Sequence, residues 1–70
     1  MTEVPAQITG TVWKIEVKVG QSVTAGETLV ILESMKMEMP VEAPESGIVQ
    51  QIRCQESQSV KEGDVLVVIG

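Results

Sequence analysis

The sequence predicts an all-β fold, a flattened eight-stranded barrel or sandwich whose two four-stranded halves are related by a pseudo-twofold axis. Three observations predict this fold: an ungapped internal repeat, short apolar segments with the period or composition of strands, and no segment with apolar residues at i, i+3, i+4 and i+7. The last observation predicts that there is no helix. Seventy residues suffice for one domain only, so residues 1–70 are expected to form a single unit.

The internal repeat aligns 4–33 with 41–70 at a shift of 37 residues. Eleven of the thirty aligned pairs are identical, whereas composition alone would give about two. The identical pairs are Val4/Val41, Ala6/Ala43, Gly10/Gly47, Val12/Val49, Ile15/Ile52, Gln21/Gln58, Ser22/Ser59, Val23/Val60, Gly26/Gly63, Leu29/Leu66 and Val30/Val67. Neither half could bury its apolar face alone, so the halves are expected to share one aliphatic core. The residues predicted for that core are Val12/Val49, Ile15/Ile52, Val23/Val60 and Leu29/Leu66.

Two kinds of apolar segment predict the strands. Residues 13–19 alternate apolar and polar with period two, which is typical of a half-buried strand. Residues 28–32 and their repeat partners 65–69 are continuous apolar runs rich in β-branched residues. Runs of this length and composition favour buried strands over a helix.

Four repeated glycines have a structural interpretation. Gly26 and Gly63 each stand just before a buried run, where a turn residue with positive φ is expected. Gly10 and Gly47 begin the longer strands, where the absence of a side chain permits a bend or a close approach of two backbones.

Composition excludes several classes of function. The formal net charge is −5, from ten acids and five bases spread along the chain, which argues against nucleic acid and membrane partners. The chain has no histidine and no metal-ligand cluster, so no metal site, no catalytic residue and no independent enzymatic activity are expected. Cys54 is the only cysteine and is expected to be a small strand residue of a monomeric, cytoplasmic domain.

The repeat fails at the joint between the halves (34–39), because the repeat partner of Lys36 would lie beyond position 70. Lys36 is therefore expected at an exposed turn, at the end of the molecule opposite both termini. The joint also contains three of the four methionines, Met35, Met37 and Met39. These residues by themselves fit either an ordinary hairpin with methionines in core gaps or an exposed recognition turn; for Met39 the core position is favoured.

A family resemblance decides between these interpretations. The hexapeptide that spans the joint resembles the Glu-Ala-Met-Lys-Met-Glu hairpin of biotin carboxyl carrier domains, and reads Glu33-Ser34-Met35-Lys36-Met37-Glu38. Ala-Pro-x-x-Gly at 43–47 and the Gly-acid-x-Leu turns at 26–29 and 63–66 match the same family, so the resemblance covers nearly the whole chain. It extends to the small single-domain biotin/lipoyl attachment proteins and implies their eight-stranded flattened barrel.

The resemblance implies a carrier function. A biotin protein ligase would attach biotin covalently to Lys36, a biotin carboxylase would load a carboxyl group, and a carboxyltransferase would pass that group to an acceptor. Met35 and Met37 would contribute flanking recognition, and the hairpin motif would be completed by Glu33, Ser34 and Glu38.

Two departures and two alternatives accompany this interpretation. Ser34 replaces the commoner alanine of the hairpin, and Pro5-Ala6 reverses the usual Ala-Pro order in the first half. A lipoyl carrier would share the fold and the lysine, but its typical hairpin is Asp-Lys-Ala, whereas methionines flank Lys36 here. An unmodified β-barrel that serves only as an interaction module would leave the Met-Lys-Met sequence without a role.

Overall fold

The computed structural model describes the whole chain, Met1–Gly70, as eight strands without a helix. The strands are β1 (Thr2–Pro5), β2 (Gly10–Ile15), β3 (Ser22–Val23), β4 (Thr28–Ser34), β5 (Met37–Glu42), β6 (Gly47–Ile52), β7 (Ser59–Val60) and β8 (Val65–Ile69). No helix is present that could cross a membrane. The prediction of an eight-stranded all-β fold is confirmed.

The strands form two four-stranded antiparallel sheets, in the orders β1-β8-β6-β3 and β5-β4-β2-β7. The repeat makes β1 equivalent to β5, β2 to β6, β3 to β7 and β4 to β8, so each strand has its equivalent in the other sheet. The pseudo-twofold operation therefore exchanges the two sheets. Each sheet contains two strands from each half of the chain, which explains why neither half could fold alone.

The core between the sheets is a cluster of 16 buried residues that contains no polar or charged side chain apart from the thiol of Cys54. Six of the eight residues predicted for it are buried: Val12, Val49, Val23, Val60, Leu29 and Leu66. The prediction overestimated the burial of Ile15 and Ile52, which are only partly buried and pack against the cluster.

A bulge occurs at equivalent points of the two halves. β2 carries Trp13 as an extra residue against β4, and β6 carries its repeat partner Gln50 as an extra residue against β8. Because of this bulge Val12 and Ile15, three positions apart, both face inward. The predicted strand 13–19 is therefore wrong in two respects: β2 ends at Ile15, and the Trp13 side chain is 47% exposed.

A repeated glutamine stabilises the loop that follows each long strand. The backbone N–H of Lys18 donates to Oε1 of Gln21 (3.1 Å), and the N–H of Gln55 donates to Oε1 of Gln58 (2.9 Å). The two glutamines are identical in the repeat because they make the same hydrogen bond in the same loop.

The turns before the buried runs have the expected geometry. Gly26 and Gly63 have positive φ angles of 89° and 95°. The acid that follows each glycine accepts a hydrogen bond from the backbone N–H three residues earlier, Glu27 from Thr24 (3.0 Å) and Asp64 from Lys61 (2.9 Å). The Gly-acid pairs are thus structural.

Cys54 follows β6 and is not part of a strand, which corrects the prediction of a strand residue. Its side chain is nevertheless buried, in the position that Val17 occupies in the other half. Burial raises the pKa of the Cys54 thiol because desolvation disfavours the thiolate. Both the placement and the raised pKa indicate a packing role for this residue.

Candidate functional site

The candidate site is the hairpin between β4 and β5. Ser34 and Met37 form the last cross-strand pair, so Met35 and Lys36 make up a two-residue loop. Their φ angles are +52° and +66°. Two-residue hairpin loops of type I′ require positive φ at both central residues, and usually contain asparagine, aspartate or glycine there. Met35 and Lys36 therefore occupy positions that favour asparagine, aspartate or glycine.

This loop conformation carries a free-energy cost. A non-glycine residue in the left-handed region costs about 1–2 kcal/mol relative to its ordinary conformation. The strands on either side compensate, because β4 pairs with β5 over its whole length and with β2 on its other side. The turn is thus held by the sheet, and two side chains unsuited to the turn are retained at its tip.

Lys36 is exposed, as predicted. It forms no ion pair; the single ion pair of the molecule joins Arg53 to Glu3. Met35 is 92% exposed and Met37 is 64% exposed, so the lysine lies between two accessible apolar side chains. Methionine contributes adaptable apolar contact to a binding surface because its thioether chain is flexible.

Met39 corrects the prediction that it fills a gap in the core. It pairs with the buried Leu32, but 41% of its side chain is exposed. The reason is that β5 is the edge strand of its sheet, so no further strand covers its outer side. All three methionines of the joint are therefore accessible.

The base of the hairpin rests directly on β2. A Cβ atom on Gly10 would lie 2.5 Å from the carbonyl oxygen of Glu33 and 3.3 Å from Cβ of Ser34. Only glycine permits the two backbones to approach so closely, which confirms the close-approach interpretation of Gly10. The hairpin consequently packs against β2 at Glu33 and Ser34, whereas its turn is exposed to solvent.

Glu33 and Glu38 stand directly opposite each other in the two strands of the hairpin, and both are exposed. Neither carboxylate takes part in an ion pair. Like charges at directly opposite positions destabilise a strand pair. The hairpin therefore presents one cation at its tip and two unpaired carboxylates at its base.

The other lysines lie in different surroundings. Lys14 belongs to β2, where its Nζ lies 5.9 Å from the centroid of the Trp13 ring. Lys61 begins the turn after β7 and donates its backbone N–H to Asp64. Lys18 lies in the loop after β2 and donates its backbone N–H to Gln21. None of the three lies on a two-residue hairpin loop or between two exposed apolar side chains.

Outside the hairpin, the surface has two shallow depressions and one exposed aromatic side chain. No group of three histidine, cysteine, aspartate or glutamate residues could hold a metal ion. Two shallow depressions lie beside β7, one next to Cys54 and one next to Thr9, and neither includes a residue of the hairpin. The exposure of Trp13 was not predicted from the sequence, although its status as the only aromatic residue could have drawn attention to it.

Known proteins resemble this chain over nearly its whole length. The family model described as "Biotin-requiring enzyme" matches residues 1–69. The chain is 47% identical over 64 residues to the biotin/lipoyl attachment protein of Bacillus subtilis, a match that covers 91% of this chain and 88% of that protein. It is 42% identical over 65 residues to the biotin carboxyl carrier protein of Streptococcus mutans, which covers 93% of this chain and 50% of that protein.

Among solved structures, the urea carboxylase of Kluyveromyces lactis superposes with a TM-score of 0.93 at 38% sequence identity. The match covers 99% of this chain and 6% of the carboxylase chain. This chain is thus similar in length to the attachment protein, and it corresponds to a small segment of the carboxylase.

Proposed function

This chain belongs to the family of biotin-requiring enzymes, and from this membership we propose that it is a biotin carboxyl carrier whose biotin is joined to Lys36. The single observation that carries the proposal is the Met35–Lys36 loop. It presents a primary amine at an exposed two-residue turn, between two exposed methionines, on a hairpin anchored by Gly10. Covalent biotin fits this position because an accessible primary amine can form an amide with an activated carboxyl group.

Lys36 acts as a substrate in the attachment step. Its ε-amine attacks the activated carboxyl carbon of biotinyl-adenylate; a C–N bond forms, the C–O bond to the phosphate breaks, and AMP and one proton are released. An ammonium group has no free electron pair, so the amine must lose a proton before it can attack the adenylate. Activation must therefore come from the ligase, which implies a partner that encloses the turn.

The domain positions the group and performs none of the bond chemistry. When bound, biotin supplies a ring nitrogen that can hold a carboxyl group. A partner biotin carboxylase would load that group with ATP and bicarbonate, and a carboxyltransferase would remove it. A tethered group meets each active site at a high effective concentration, and the exposed tip of the hairpin allows both enzymes to reach it.

A lipoyl carrier is the second candidate, because the relative in Bacillus subtilis is named for both groups. The methionines on both sides of Lys36 favour biotin, since the typical lipoyl hairpin has aspartate and alanine on either side of its lysine.

The test is the intact mass of the chain, purified from cells that supply both biotin and lipoate, followed by peptide mapping. One biotinyl group on the peptide that contains Lys36 is the expected result. A chain that carries lipoate and never biotin would refute the proposal.

A further inference from the structure

The outer faces of the two sheets are equivalent under the pseudo-twofold operation, but their coverings differ. On the sheet of β8, Val68 lies between its cross-strand neighbours Glu3 and Gln51. Arg53 reaches both of them: it forms an ion pair with Glu3 (3.6 Å), and its Nε donates to Oε1 of Gln51 (2.9 Å). Val68 is only 4% exposed. A polar network thus covers the apolar centre of this face.

The equivalent positions of the other sheet lack such a network. Ile31 takes the place of Val68, and its cross-strand neighbours are Lys14 and Pro40. Glu16 takes the place of Arg53, and Pro40 takes the place of Glu3. Because proline carries no charge, Glu16 cannot form an ion pair with it. Ile31 is therefore only half-buried, and Pro40 is exposed.

The bulge adds the largest side chain of the molecule to the same face. Trp13, 47% exposed, precedes Lys14 in β2, whereas its repeat partner on the covered face is Gln50. We refer to Trp13, Lys14, Ile31 and Pro40 as the Trp13 face. Exposed tryptophan is unusual on a surface that stays in water, and it is enriched at the centres of protein–protein interfaces.

The Trp13 face adjoins the hairpin between β4 and β5 that carries Lys36. The pair Glu33–Glu38 is the next outward-facing row of β4 and β5 towards the turn, about 7 Å from the row of Ile31 and Pro40. Glu42, on the other side of Pro40, is also exposed. None of these three carboxylates forms an ion pair. The apolar row is thus flanked by unpaired negative charge on both sides.

We infer that the Trp13 face is the docking surface for the enzyme that loads the carboxyl group. The inference rests on the proposed carrier function. The surface it requires of the partner is an apolar pocket for the indole with a cationic rim for Glu33, Glu38 and Glu42. An enzyme that binds ATP and bicarbonate has anionic substrates, so the entrance to its active site attracts negative charge.

The docking surface and the attachment site have separate tasks. A ligase need only enclose the turn around Lys36, because it reacts with the amine itself. The loading enzyme must hold the whole domain while the tethered group reaches its active site. Trp13 is therefore expected to affect loading without affecting attachment.

The test uses the biotinylated full chain as the substrate of the biotin carboxylase from the same organism, with ATP, magnesium and labelled bicarbonate. Trp13→Gln introduces the residue that occupies the equivalent bulge position, Gln50, so we expect the bulge to be preserved. We expect this variant to be biotinylated at the wild-type rate, and to show a KM for the carrier raised about tenfold with kcat changed less than about twofold. Gln50→Ala, at the equivalent point of the covered face, is the matched control and should leave both constants unchanged.

A second variant guards against a folding defect. Pro40→Gln places a neutral polar side chain in the apolar row of the Trp13 face, and it should raise KM in the same way. Unchanged KM for both variants, with normal biotinylation, would overturn the docking surface and leave the carrier function intact. A defect confined to transfer by the carboxyltransferase, or to attachment by the ligase, would assign the face to that other enzyme and overturn the inference. Wild-type protein that is never biotinylated would instead overturn the carrier function itself.

Discussion

Ser57 adopts the left-handed backbone conformation of its repeat partner Gly20, with a φ of 73° against 91°. Both residues lie in the loop that follows a long strand, beside the equivalent hydrogen bonds of Gln58 and Gln21. The loop geometry is therefore the same in both halves, although only one half has the residue that suits it. Serine in this conformation stores strain that glycine would not.

Ser57→Gly should stabilise the protein. The relief of left-handed strain exceeds the extra backbone entropy of glycine in the unfolded chain, and we expect a gain of about 0.5–1 kcal/mol in the free energy of unfolding. Urea denaturation measures this gain. The reverse change at the equivalent position, Gly20→Ser, should destabilise the protein by a similar amount; a Ser57→Gly variant less stable than wild type would contradict the strain.

Gly10→Ala should loosen the hairpin. The new methyl group would meet the carbonyl oxygen of Glu33, so β2 and β4 would have to move apart at a cost of about 1–3 kcal/mol. We expect a lower free energy of unfolding and slower biotinylation of Lys36 under conditions in which the variant remains folded.

Gly47→Ala is the matched control for that change. Its methyl group would meet Cγ2 of Ile69 at 2.5 Å, next to the C-terminal residue Gly70 and away from the hairpin. This variant should lose stability but be biotinylated at the wild-type rate. Equal slowing in both variants would show that general instability, and not the hairpin, controls attachment.

Lys36→Arg should abolish modification without affecting the fold. Arginine keeps the charge and a long side chain but has no primary amine to form the amide. Because the position is exposed, stability should change by no more than about 0.5 kcal/mol. Capture by streptavidin and carboxyl transfer should both be lost. Lys61→Arg, in the turn after β7, should retain both, and capture that persists in Lys36→Arg would move the attachment site elsewhere.

Cys54 should make stability decrease at alkaline pH. Its pKa is raised by burial in the folded state, so the thiol of the unfolded chain ionises first, near its ordinary value of 9.0. The contribution of the buried thiol is therefore fully present below that pH and declines as pH rises above it. The free energy of unfolding, measured between pH 7 and 10, should fall more for wild type than for Cys54→Val, which carries the residue found at Val17. Parallel curves would show that the thiol is not desolvated.

Much of the fold and of the site could be read from local pattern. The duplication implied that every element of 4–33 has an equivalent in 41–70, and it singled out the joint around Lys36 as the place without an equivalent. The exposed turn followed, and so did the positive φ of Gly26 and Gly63, because turn chemistry depends on a few adjacent residues.

Strand pairing decided the rest. A period-two pattern identifies a face only when each residue has one partner across the ladder, and the bulges at Trp13 and Gln50 break that condition. Trp13 consequently points to solvent while Val12 is buried, and Met39 is exposed because β5 lies at a sheet edge. The sequence by itself determined which residues are equivalent and that Lys36 lies on an exposed turn. Only the tertiary structure decided which side chains face outward, because a side chain's direction depends on the register of a partner strand that is distant in the chain.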